Sequence, residues 1–173
     1  EDTLSLHDAL PIFNALKKGG IDLSNADAVV GTSAGALFGS MLTAGHLWRI
    51  AAEIDIFADF PKLLSEMMPA TQFNLSQLRA QRAELSVSDA SLASIQKIGK
   101  AAMASSNPDG VAKYYKVAEK LLTSSTWPSP GMFIATNDCY TGQRLVISKD
   151  NNVPINVACA ASSSAPGQIG PTF

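Results

Sequence analysis

A serine flanked by glycines joins two apolar runs. Ala26-Asp27-Ala28-Val29-Val30 leads into Gly31-Thr32-Ser33-Ala34-Gly35, and Ala36-Leu37-Phe38-Gly39-Ser40-Met41-Leu42 follows. The first run reads as a strand at about Asp27–Val30. The second reads as a helix from about Ala34 to Ala44, with Ala34, Leu37, Phe38, Met41 and Leu42 on one stripe and Gly35 and Gly39 making a small face. So short a connection leaves room only for a sharp turn. Gly31 and Gly35 suit it because the backbone is strained there and a neighbouring chain must come close, where a Cβ would obstruct. The helix start also leaves unpaired N–H groups and a partial positive charge beside Ser33.

A Gly-x-Ser-x-Gly pentad in a strand–turn–helix setting is the nucleophile elbow of serine acyl hydrolases, with Ser33 as nucleophile and Gly31, Thr32, Ala34 and Gly35 as its motif. The competing reading is a Gly/Ser-rich turn in which Ser33 or Thr32 merely caps the helix. At ordinary glycine and serine usage the pentad arises by chance in roughly one chain in twenty of this length, so it does not decide alone. The setting favours the nucleophile. It also puts Ser33 at the carboxyl end of a strand, where open α/β sheets carry their sites.

The 173 residues, 46% hydrophobic, suffice for one sizeable core. Thirteen basic against fifteen acidic side chains give a formal charge of -2. That balance supplies no field for nucleic acid and no polybasic membrane patch. Cys139 and Cys159 read as buried thiols, since they are too few for a disulfide framework and lack metal-ligand spacing. No apolar run is long enough to cross a membrane, and no secretory signal is visible. The sequence assigns no compartment. Residues 1–12, Glu-Asp-Thr-Leu-Ser-Leu-His-Asp-Ala-Leu-Pro-Ile, resemble translated sequencing-adapter read-through. They are expected to be a non-native leader, so His7 and Asp8 are given no role.

From Phe13 the pattern is that of an amphipathic helix ending in Lys17-Lys18-Gly19-Gly20. After the Ser33 helix, which Gly45 ends, residues 47–122 read as mostly helical. The expected segments are Leu47–Phe57, Leu75–Ala83, Ser88–Ala104 and Gly110–Leu122, with a turn at Asn107-Pro108-Asp109-Gly110. Such a block covers a sheet or forms a lid over a site. Met67, Met68 and Phe73 suit an acyl pocket, although such residues more often fill a core. Strands are expected at Met132–Thr136 and Arg144–Ser148, joined by a turn at Thr141-Gly142. Asp150-Asn151-Asn152 marks another turn, and a small-residue helix at about Ile155–Ser163 is stopped by Pro166-Gly167.

A serine hydroxyl needs a base to take its proton and an oxyanion hole to stabilise the developing charge. Outside the leader the only histidine is His46, placed just after Gly45 and read as a helix C-terminal residue favoured by the dipole. A Ser-Asp-His triad in that order is therefore excluded within these residues, and a Ser–Asp dyad remains. Asp138 and Asp150 are the nearest carboxylates in the tail, but both sit beside turns, where Asp serves local hydrogen bonding.

The segment Gly31-Thr32-Ser33-Ala34-Gly35-Ala36-Leu37 is similar to the nucleophile motif of patatin-like phospholipases. Two further segments resemble the family in order. One is the helix end Ala15-Leu16-Lys17-Lys18-Gly19-Gly20-Ile21. The other is Cys139-Tyr140-Thr141-Gly142-Gln143 followed by Ala158-Cys159-Ala160-Ala161-Ser162-Ser163-Ser164-Ala165-Pro166-Gly167, which looks like the family's approach to its catalytic aspartate. The resemblance implies a three-layer α/β/α fold with a helical insert, of which residues 13–173 form an incomplete domain. It implies a lipid acyl hydrolase that uses a Ser–Asp dyad, an acyl-enzyme and no metal or organic cofactor. The implied partner is a lipid or acyl-ester substrate, met at a membrane surface or in solution, and not nucleic acid.

The family's glycine-rich oxyanion loop precedes its first helix, where the adapter-like residues stand here. Its Asp-Gly motif follows the Pro-Gly turn and is not reached by Phe173. The expectation is thus an internal fragment with first strand and C-terminal part missing, inactive by itself. The alternatives are a catalytically incomplete homologue that binds lipid or a partner without turnover, and a conventional esterase whose histidine lies beyond Phe173.

Overall fold

The computed structural model describes residues 6–46, 89, 91–104, 106, 108–164 and 171–172. The expected helices Leu47–Phe57 and Leu75–Ala83, and Met67, Met68 and Phe73, lie outside the described residues. Among the described residues the chain is a mixed α/β structure with helices and one small three-stranded sheet. The helices are α1 (Leu6–Lys18), α2 (Ala34–Thr43), α3 (Leu92–Ala104), α4 (Pro108–Leu122) and α5 (Ile155–Ser163). The strands are β1 (Val29–Gly31), β2 (Met132–Asn137) and β3 (Arg144–Ile147). Helix α1 runs unbroken across position 12, from inside the expected leader into the amphipathic stretch after it.

The sheet order is β1-β2-β3. Val29 pairs with Met132 and Gly31 with Ile134 in the parallel ladder, whereas β2 and β3 pair antiparallel from Ile134↔Ile147 to Asn137↔Arg144. A parallel pair needs a long crossover, and the residues between β1 and β2, including α2, α3 and α4, supply it. Met132 and Ile134 are fully buried on one face of β2. They pack with Ala36, Leu37, Phe38 and Met41 of α2, Ala118 and Leu122 of α4, and Ile155, Ala158 and Cys159 of α5. The apolar stripe expected from the α2 sequence thus becomes the centre of the core. The tilted rings of Phe13 and Phe38, with centroids 4.6 Å apart, bring α1 onto the same cluster. Side chains alternate across the sheet, so the opposite face carries Val30 and Val146, which are 68% and 56% exposed.

Helix α2 ends in a Schellman motif. Gly45 takes φ +73°, its N–H reaches Leu42 O at 3.0 Å, and the His46 N–H reaches Met41 O at 3.0 Å. The helix starts of α3 and α4 depart from expectation. Helix α3 begins at Leu92 rather than Ser88, because the Asp89 carboxylate accepts from the Ser91 N–H at 3.1 Å and from the Ser94 hydroxyl at 2.7 Å. With the bond from the Ser91 hydroxyl, the largest contributor, they hold the chain in a local turn and keep the Asp89 carboxyl below its ordinary range. Helix α4 begins at Pro108 within the expected turn, since proline at the first helical position loses no bond. The strands shift by one or two residues at their ends, and α5 spans the expected Ile155–Ser163.

Between β2 and β3, Asp138 accepts from the Tyr140 N–H at 2.7 Å, and Gly142 takes φ +72° while donating to Asp138 O at 2.8 Å. Helix α3 packs on this loop, with Gln96 Nε2 donating to Thr141 O at 3.1 Å. The thiols differ from expectation. Cys159 is fully buried, but Cys139, in the hairpin loop, is only half-buried. Burial pushes the Cys159 thiol up to about 11, against a weak opposing contact from Ser40 Oγ at 3.8 Å.

A raised thiol pKa favours the folded state below the unfolded value and loses that contribution as pH rises through the folded value. Stability measured by denaturant titration is therefore expected to fall between about pH 9 and about pH 11 more steeply in the native protein than in Cys159→Ala. Parallel curves for the two proteins would show that Cys159 does not titrate in this way.

Candidate functional site

Ser33 stands between β1 and α2 with φ 54° and ψ −124°. The Gly35 N–H donates to Thr32 O at 2.9 Å and closes a β-turn in which Ser33 is the first central residue. Positive φ there defines a II′-like turn, a position that glycine ordinarily takes. A serine pays about 1–3 kcal/mol to remain in such a region. It also forgoes what serine usually does at a helix start. Ser33 is the N-cap of α2, yet its side chain makes no capping hydrogen bond and its backbone is not in the β region that capping serines adopt. The capping alternative therefore does not account for this serine, whose side chain is exposed.

The flanking glycines divide. A Cβ on Gly31 would lie 2.5 Å from Gly35 O and 2.6 Å from Ala36 Cα, so β1 and α2 meet only because position 31 has none. A Cβ on Gly35 would meet nothing within 4 Å. The expected obstruction thus applies to Gly31 and not to Gly35. The small face expected on α2 narrows likewise to Gly39, whose Cβ would come within 3.0 Å of Val29 Cγ1 and 3.1 Å of Met132 Cε.

The backbone groups of the turn have distinct fates. The Ser33 N–H donates to Ser162 Oγ at 2.9 Å, and the Ser162 hydroxyl donates to Ala135 O of β2 at 2.6 Å. The Ala36 N–H donates to Ser33 O at 2.9 Å. The Ala34 N–H, at the first position of α2, has no hydrogen-bond partner among the described residues. Side chains of β2 and α4 fix α5 to its surroundings: Thr136 Oγ1 donates to Ala161 O at 3.1 Å, and Tyr114 Oη donates to Ser163 Oγ at 2.6 Å. Burial raises the Tyr114 pKa and keeps the phenol a neutral donor.

The structure thus brings Gly31, Thr32, Ser33, Ala34 and Gly35 into one turn and adds Ser162, which the sequence did not single out. The only signal was its place in a run of small residues on a short helix, which does not distinguish it from Ser163 or Ser164. Among the described residues no imidazole or carboxylate is hydrogen-bonded to Ser33 Oγ. The His46 N–H closes the Schellman motif, and its Nδ1 is buried without a hydrogen-bond partner among the described residues. Asp138 is committed to the hairpin loop, where backbone N–H donors hold its carboxyl below the usual range. Asp150 lies in a 3-10 turn over Lys149–Asn151. Among the described residues no group of His, Cys, Asp or Glu is placed to hold a metal ion.

The strain at position 33 is separable from the chemistry of its side chain. Ser33→Gly is expected to be more stable than Ser33→Ala by about 1 kcal/mol in chemical denaturation, because alanine keeps the positive-φ cost and glycine does not. Equal stabilities would remove the strain from position 33. In the same assay Gly31→Ala is expected to lose about 2 kcal/mol from overpacking, whereas Gly35→Ala stays neutral or gains about 0.5 kcal/mol from helix propensity. The reverse order would contradict the close approach at Gly31.

Compared with models of protein families, with curated proteins and with solved structures, the chain matches none.

Proposed function

We propose that Ser33 is the nucleophile of a patatin-like lipid acyl hydrolase, of the phospholipase A or acylglycerol esterase type. The observation that carries this reading is the Ser33 backbone, held at φ 54° and ψ −124° with a side chain that makes no capping bond. A strained, exposed hydroxyl between a strand and a helix is what a nucleophile elbow requires. The motif and tail segments that resemble the patatin-like family add the substrate class and the dyad. A three-layer α/β/α domain belongs to the same proposal. Val30 and Val146 present apolar side chains on the sheet face opposite the core, and a parallel β1–β2 pair is normally covered on both faces.

In the proposed reaction Ser33 Oγ attacks the ester carbonyl carbon while a carboxylate base accepts the hydroxyl proton. The carbonyl electrons move onto oxygen and are stabilised by backbone N–H donors, of which Ala34 is the group adjoining the nucleophile. Collapse breaks the carbon–oxygen bond to the leaving alcohol, which takes the proton back. Water then repeats the sequence on acyl-Ser33, releasing a fatty acid and restoring the hydroxyl. No step needs a metal or an organic cofactor.

A second reading, lipid or partner binding without turnover, is favoured by one observation: no base reaches Ser33 Oγ among the described residues. On that ground the 173-residue chain is expected to hydrolyse p-nitrophenyl butyrate no faster than its Ser33→Ala variant. A longer protein that contains these residues together with a carboxylate base for Ser33 is expected to cleave short-chain esters and micellar phospholipid, with Ser33→Ala lowering the rate by at least about a thousandfold. Equal rates for that protein and its Ser33→Ala variant would reject the hydrolase and leave the binding reading.

A further inference from the structure

We infer that Ser162 is the positioning residue of the elbow, holding Ser33 in its strained conformation from a different part of the fold. This rests on the reading of Ser33 as nucleophile for its catalytic consequence, but not for its structural one. Ser162 stands on α5, 129 residues from Ser33 in sequence. Its hydroxyl accepts the Ser33 N–H at 2.9 Å and donates to Ala135 O at 2.6 Å. A hydroxyl has one proton and two lone pairs. The proton is committed to β2, so Ser162 faces the elbow only as an acceptor and is neither a base for Ser33 nor a donor to its side chain.

Two consequences follow for the site. First, the amide of a residue at positive φ points away from the path it would take in an ordinary helix entry, and Ser162 gives that amide an acceptor in the strained geometry. Relaxation of Ser33 to negative φ would forfeit that bond. Second, Ser162 divides the amides at the elbow. The Ser33 N–H is occupied and unavailable to a substrate oxyanion, while the adjoining Ala34 N–H stays without a partner among the described residues. One hydroxyl thereby fixes both the direction of the nucleophile and which amide remains to receive charge.

The test uses amide hydrogen exchange on the full chain, read at Ser33 against the core amide of Ile134. Ser162→Ala is expected to speed exchange at Ser33 by about tenfold relative to Ile134, the loss of one modest hydrogen bond. Ser162→Thr restores protection by returning the hydroxyl. Ser163→Ala, on the same helix but bonded to Tyr114, leaves Ser33 unchanged. If Ser162→Ala does not fold, Ser162→Thr decides: wild-type protection at Ser33 supports the inference, and protection lost in a folded Thr variant overturns it. Unchanged Ser33 exchange in Ser162→Ala also overturns it. In any form of the protein that shows Ser33-dependent hydrolysis, Ser162→Ala is expected to lower kcat about tenfold at unchanged KM, again rescued by threonine. Absence of any Ser33-dependent hydrolysis would reject the hydrolase alone, since the exchange measurement still decides whether Ser162 holds the elbow. A rise in KM at constant kcat would assign Ser162 to substrate binding and overturn its positioning role.

Discussion

The close approach of Gly31 to the first turn of α2 is the contact on which the rest of the structure depends. With a Cβ there, Gly35 O and the Ala36 backbone would have to shift, and the start of α2 with them. That shift would matter because α2 carries Leu37, Phe38 and Met41 into the core that also buries Met132 and Ile134. Burying each large side chain contributes on the order of 1.5–3 kcal/mol. Several of them together outweigh the 1–3 kcal/mol of backbone strain at Ser33. The strained turn is therefore sustained by the packing of the helix that follows it, and that packing exists because position 31 is glycine.

The elements whose signals are local were legible in the sequence. Helix α5 has its proline before it and its small-residue run within it, and the strands of the β2–β3 hairpin follow from β-branched runs on either side of Gly142. The misread boundaries have side-chain causes that periodicity does not carry. Asp89 diverts the chain before α3 by binding Ser91 and Ser94, and Pro108 opens α4 where a Pro-Asp-Gly sequence suggests only a turn. At the site, the pentad located Ser33 but gave its glycines equal weight. Only the packing distinguishes Gly31, pressed against backbone, from Gly35, which faces open space. Ser162 was beyond reach because its bond to Ser33 spans the whole crossover and one of three adjacent serines must be chosen. Cys139 likewise looked no different from Cys159 until the hairpin loop placed one near solvent and α5 placed the other in the core.

The backbone at Ser33 also separates two uses of serine that sequence alone leaves equivalent. A capping serine in the β region satisfies a helix amide with its own hydroxyl and stabilises the helix by about 1 kcal/mol. Ser33 does the opposite on both counts, since its backbone lies at positive φ and its hydroxyl leaves the helix amides alone. Glycine would occupy the same turn with less strain. The strain brings α2 no side-chain capping bond in return, and that observation is what the proposal of a nucleophile at this position rests on.

That division extends to the amides around the turn. In an ordinary helix start several N–H groups compete for whatever acceptor arrives. Here the Gly35 and Ala36 amides are spent on Thr32 O and Ser33 O, and the Ser33 amide on Ser162, while the Ala34 amide beside the nucleophile has no partner among the described residues. Under the proposed function, an unpartnered donor next to the exposed Ser33 would favour one orientation of an incoming carbonyl. Because Ser162 is anchored to β2 through Ala135 O, that orientation is tied to the central strand. In the proposed reaction, a carbonyl whose oxygen is drawn to the Ala34 N–H would present its carbon to Ser33 Oγ along a direction set by the core.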